Sequence, residues 1–77
     1  MAVLDATTTW QSGGTLAAQE IWQCQSGILR LATGSQPSAA DDGIVLAEGA
    51  GVLLSSGLEV WYRKGGPSPV RLTRTPV

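Results

Sequence analysis

Leu58-Glu59-Val60-Trp61-Tyr62-Arg63 and Val70-Arg71-Leu72-Thr73-Arg74 decide the fold. In the first segment Leu58, Val60 and Tyr62 share one side while Glu59, Trp61 and Arg63 share the other; in the second, Val70 and Leu72 oppose Arg71 and Thr73. A period of two is that of a strand with one buried face. Between them, Lys64-Gly65-Gly66-Pro67-Ser68-Pro69 has the glycines and prolines that turns select, so the pair reads as a C-terminal hairpin.

Working back along the chain, strand-like segments recur between glycine or polar turns. Glu20-Ile21-Trp22-Gln23-Cys24-Gln25, then Ser26-Gly27, then Ile28-Leu29-Arg30-Leu31-Ala32-Thr33 read as a second antiparallel hairpin. Residues 34–43, with Pro37, Asp41, Asp42 and three glycine or serine positions at their ends, form a surface loop. Ile44-Val45-Leu46-Ala47 and Val52-Leu53-Leu54, separated by Gly49-Ala50-Gly51, add two short strands. The run 44–47 does not alternate, which predicts that both of its faces are covered.

Residues 1–18 differ from the rest. Thr7-Thr8-Thr9-Trp10 and the Gly13-Gly14 pair suit an extended arm that docks on something, and a frayed terminus carrying one strand is the competing reading. A helix over 15–25, capped by Thr15, is a further alternative, but Ile21, Trp22 and Cys24 ahead of Ser26-Gly27 fit a strand better. The expected fold is therefore all-β: a compact antiparallel β-sandwich or barrel of about six short strands over residues 19–77, with an extended N-terminal arm over residues 1–18.

Bulk properties agree. Ten glycines and four prolines favour short strands joined by tight turns, and a hydrophobic fraction of 43% excludes a disordered chain. No apolar run approaches the ~18 residues a membrane helix needs, and no basic stretch leads into an apolar one near Met1, so neither a membrane span nor a secretory signal is expected and synthesis in a cytoplasm follows. A domain of 77 residues leaves much of its surface wet, which makes support from a partner or from further copies of itself the expectation.

Chemistry is sparse. With no histidine, neither a Ser-His-Asp nor a Cys-His site can be built, and the single Cys24 has no disulfide or Cys/His metal partner. Gly49-Ala50-Gly51 matches no phosphate-loop pattern and reads as a turn. Asp41-Asp42 reads as a turn, since calcium needs several more oxygen ligands. Cys24, in an apolar strand without a neighbouring cation, reads as a buried structural thiol. No catalytic, cofactor-binding or metal residue is assigned, and no enzyme is expected.

The informative residues are the tryptophans and the cations. Trp22 belongs to the core, whereas Trp10 in the arm and Trp61 among Glu59 and Arg63 are candidate interface anchors; the competing readings are that Trp10 folds back onto its own domain and that Trp61 is an ordinary residue facing a second sheet. Residues 1–62 hold six acids and one base, Arg30, for a net −5; residues 63–77 hold Arg63, Lys64, Arg71 and Arg74 and no acid, for a net +4. Three readings of this asymmetry stand side by side: a phosphate-contacting hairpin, a basic surface meeting an acidic neighbour, or solvated charges that keep a strand edge from aggregating. An overall pI near 5.0 and the lack of an RNP-type aromatic signature count against nucleic acid. The candidate assembly interface is Trp10, Trp61, Arg63, Lys64, Arg71 and Arg74.

From Gln19 to Val77, the order Ile21-Trp22-Gln23, Ser26-Gly27-Ile28, Gln36-Pro37-Ser38 with Asp42-Gly43, Leu46 before Glu48-Gly49, and Val60-Trp61-Tyr62-Arg63 resembles small β-rich virion structural proteins of tailed bacteriophages and phage-derived particles. The resemblance implies a capsid decoration or head-spike component made in a bacterial cytoplasm and carried on the virion. It also implies symmetric homo-oligomers, trimers first, with the major capsid or another virion protein as partner. The absence of a long coiled-coil or collagen-like stretch counts against a complete fibre. Two alternatives remain: a tail or baseplate adaptor or receptor-binding module, and a small OB- or SH3-like domain binding nucleic acid or a peptide.

Overall fold

The computed structural model describes residues 2–39 and 43–77, and every regular element among them is a strand. In chain order these are β1 (Ala2–Ala6), β2 (Gln11–Thr15), β3 (Glu20–Ser26), β4 (Leu29–Thr33), β5 (Ile44–Leu46), β6 (Gly51–Leu54), β7 (Glu59–Lys64) and β8 (Val70–Pro76). They build two four-stranded antiparallel sheets, a first of order β1-β8-β3-β6 and a second of order β2-β7-β4-β5.

One core serves both sheets. Trp22, Cys24 and Leu72 of the first sheet and Leu29, Leu31 and Val60 of the second are all fully or almost fully buried in the same apolar cluster. Trp22 meets Tyr62 across it with ring centroids 5.7 Å apart and planes tilted by 58°. The alternation read in 58–63 is realised as expected, with Val60 and Tyr62 buried and Glu59 exposed.

Neither expected hairpin exists. β3 lies between β8 and β6, and β4 lies between β7 and β5, so both ladders of each strand are occupied and the two cannot pair with each other. The same holds for β7, held by β2 and β4, and β8, held by β1 and β3. Of the seven links between consecutive strands, only β4 to β5 stays within one sheet. Crossing lets two consecutive segments point their apolar residues at each other through the core, whereas a hairpin would set them side by side on one face.

The segment 1–18 supplies two of the eight strands. β1 pairs with β8 along its whole length, and β2 pairs with β7 around a bulge between Ser12 and Thr15, so the strand count is eight where about six were expected. The apolar run at 44–47 is also corrected: β5 is an edge strand, Leu46 is buried, and Ile44 and Val45 are exposed at 49% and 53%. Residues 20–26 form β3 and not a helix.

The β3–β4 crossing depends on Gly27. Its φ is +75°, and a Cβ there would stand 2.6 Å from the Pro69 carbonyl oxygen, so an L side chain meets both backbone strain and a clash with the link that precedes β8. Replacing Gly27 by Ala should lower the urea midpoint by an amount corresponding to more than about 1 kcal/mol. The matched replacement Gly49→Ala, at φ +87° with open space around the added methyl, should cost less.

Candidate interaction surfaces

At one end of the core the strand register sets Trp22 opposite Arg74, with Glu20 two residues along β3. Trp22 Nε1 donates to Glu20 Oε1 at 3.0 Å, and Arg74 donates to both oxygens of the same carboxylate, Nε to Oε1 at 2.9 Å and a terminal nitrogen to Oε2 at 3.2 Å. The other terminal nitrogen of Arg74 reaches the Gly13 carbonyl of β2 at 2.8 Å, tying the first sheet to the second. The guanidinium also lies 4.7 Å from the Trp22 ring centroid, within cation–π range. Arg74, an interface candidate by sequence, instead directs its side chain, 22% exposed, to groups of its own domain.

The outer face of the second sheet carries the other tryptophans. Trp10 Nε1 donates to the Ala39 carbonyl and Trp61 Nε1 to the Gly34 carbonyl, each at 2.9 Å, so both ends of the described loop 34–39 are pinned to this face. Arg63 extends its guanidinium over Trp10, 5.8 Å from the ring centroid, and Lys64 turns back toward the Pro67 carbonyl at 3.5 Å. Both indoles are half-buried and contact their own domain. The pair Asp41-Asp42 lies outside the described residues.

Arg71 stands elsewhere again, on the outer face of the first sheet, paired with Asp5 at 3.2 Å; both side chains are largely exposed, at 61% and 74%. The four C-terminal cations are thus divided. Arg63 and Lys64 belong to the second sheet, Arg71 to the outer side of the first, and Arg74 to the edge of the core. A strip of four phosphate-contacting side chains is not assembled.

A feature that sequence reading missed lies on the same face as Arg71, toward the far end of the strands. Ile21 and Leu53 are directly opposed on β3 and β6 and are exposed at 45% and 55%, with Val3 and Val77 also exposed among the first-sheet segments. Between them runs a polar strip in which Gln25 donates to Gln23 Oε1 at 3.0 Å and Thr73 Oγ1 at 3.1 Å, and Gln23 donates to the Gly49 carbonyl at 3.1 Å. The signal was present in the dipeptides Ile21-Trp22 and Leu53-Leu54, where two adjacent apolar residues in a strand must place one on each face.

A cleft of about 530 Å³ opens where β5 stops short of the end of β4, walled by Leu31, Ala32, Ile44, Leu54 and Leu58, with Thr33 and Ser35 as its polar side chains and no titratable residue in its lining. Among the described residues no group of three or more His, Cys, Asp or Glu is placed to hold a metal ion, and no helix is long and apolar enough to cross a membrane. Cys24 is buried and unpaired, its thiol facing the Ser26 and Gly27 carbonyls at 3.4 and 3.3 Å. Burial pushes this thiol above its ordinary value, and the Glu48 carboxylate adds to the effect.

Comparison with protein-family models, with curated proteins and with solved structures finds no match.

Two predictions follow from this geometry. Arg74→Ala leaves Glu20 without its cation at the core edge and should destabilise the fold by on the order of 3 kcal/mol in urea unfolding, whereas Arg71→Ala, breaking an exposed pair, should cost less than about 1 kcal/mol. For Cys24, the unfolded thiol ionises first as pH rises while the folded one keeps its proton. Its contribution to stability is therefore intact at neutral pH and declines as pH rises past the ordinary thiol range. Unfolding curves collected at neutral and alkaline pH should show the wild-type chain losing more stability than Cys24→Ala over that range.

Proposed function

We propose that this chain is a structural module that works by assembly, a decoration or head-spike component carried in symmetric copies on a phage-type particle. The observation that carries the reading is the outer face of the first sheet, where Ile21, Leu53 and Val3 are exposed alongside Gln23, Gln25 and Thr75. Scattered single apolar residues are ordinary on a protein surface, but an opposed Ile21–Leu53 pair on a flat sheet is what a contact surface uses. The resemblance of residues 19–77 to small virion proteins supports the same reading, with the major shell protein as the surface on which the copies sit.

We further propose that the two sheets form a sandwich and not a closed barrel. Among the described residues no ladder joins β1 to β2 or β5 to β6, so each sheet keeps two edges, and those at β5 and β6 are only three and four residues long. Short edges at β5 and β6 limit uncontrolled strand addition there. A weak face contact repeated over a shell gains strength by multivalency, which suits a domain this small.

The test is a density gradient of native source lysate, with the chain quantified by mass spectrometry in each fraction. Decoration requires it to sediment with phage-sized particles at a copy number comparable to that of the major shell protein. A low copy number in the same fractions moves the chain to a spike, tail or baseplate position, and recovery only among small soluble proteins overturns the virion reading.

A further inference from the structure

We propose that the outer face of the β1-β8-β3-β6 sheet is the surface through which two copies of this chain meet, face to face about a two-fold axis. This deepens the assembly reading above by naming the surface and its occupant, and it rests on that reading only for its biological setting.

Three observations select this face and a second copy. The first is area. The molecule is small, with extents of 31, 26 and 15 Å. A four-stranded face whose two central strands have seven residues each spans roughly 20 by 20 Å, about 400 Å² per partner, the size of a weak and reversible contact. The opposite face is broken by the loop 34–39 pinned over Trp10 and Trp61, and does not present a flat surface of that size.

The second is charge. The first-sheet face carries one acid and one base, Asp5 and Arg71, already paired with each other and both largely exposed. A two-fold axis running in the face from between Asp5 and Arg71 to between Ile21 and Leu53 brings Asp5 of one molecule toward Arg71 of the other, so the pair is exchanged or shared while the two apolar pairs meet.

The third is the cost of drying the face. Its glutamine amides already donate within the domain, Gln25 to Gln23 and Thr73 and Gln23 to the Gly49 carbonyl. Polar groups that already have partners lose less on desolvation than free ones, so the exposed Ile21 and Leu53 side chains supply the driving force against a small opposing term.

The experiment is sedimentation equilibrium of the purified full chain, paired with amide NMR shifts followed over a concentration series. The wild-type chain should show a monomer–dimer equilibrium, with concentration-dependent shifts at Ile21, Leu53, Thr73 and Thr75. Leu53→Lys places a charge from each copy in the contact and should raise the dimer Kd by roughly a hundredfold while leaving the fold intact, because Leu53 is exposed. Val45→Lys, an equally exposed position on the second sheet, should leave Kd unchanged. A chain that remains monomeric up to about 1 mM overturns the proposal, as does a dimer that survives Leu53→Lys and is lost in Val45→Lys. Dimerisation through this face without particle association would instead leave the inference standing and remove the virion role; particle association by a monomeric chain would do the reverse.

Discussion

Glu20 holds Trp22 and Arg74 at once, and most of the architecture depends on that carboxylate. The largest fully buried side chain, Trp22, has a polar N–H that must find an acceptor, and Glu20 provides it. A carboxylate in that position requires a cation, and the antiparallel register of β3 against β8 places Arg74 opposite Trp22 to supply it. Arg74 then spends its remaining donor on the Gly13 carbonyl, which fixes β2, and therefore the second sheet, relative to the first. Four residues from three strands satisfy one another's polar groups at the boundary of an apolar core, so the network specifies one arrangement of the sheets.

Gly13 completes that arrangement by what it lacks. A Cβ at this position would lie 2.5 Å from the Trp22 ring, so only glycine lets β2 come close enough for its carbonyl to meet Arg74. β2 makes this approach through a bulge between Ser12 and Thr15 while still pairing with β7 on either side. Crossing links then carry the chain from sheet to sheet at almost every step, and nearly all strand pairing is between segments distant in sequence. Such a topology gives local hairpins little part in folding and makes closure of the whole core the cooperative event.

With the core boundary sealed by Arg74 and the second-sheet face strapped by Trp10 and Trp61, the surfaces left for association differ from those that charge counting suggests. Two of the four C-terminal cations are matched by acids far earlier in the chain, Asp5 and Glu20. The apparent asymmetry between the acidic first part and the basic last part is in this respect an internal pairing pattern, brought about because β1 and β3 flank β8. Removing those charges from the account leaves the first-sheet face nearly neutral, which is why its exposed apolar residues bear on association.

What the sequence determined by itself was local: the period of two in 58–63 and 70–74, the turn residues between segments, the buried positions of Trp22, Val60 and Leu72, and the inert setting of Cys24. These depend on the alternation of a strand and on the chemistry of single residues, and both are visible within a few positions. Tertiary structure alone decided which strands pair, and so the fate of Arg74, Trp10 and Trp61. A crossing link and a hairpin link can have the same turn residues and the same apolar pattern, and they differ only in whether the neighbouring ladders are already filled by strands from elsewhere in the chain. The Gln11–Thr15 strand shows the same limit from the other side, because a segment with no large apolar residue becomes a strand only when β7 offers it an open edge.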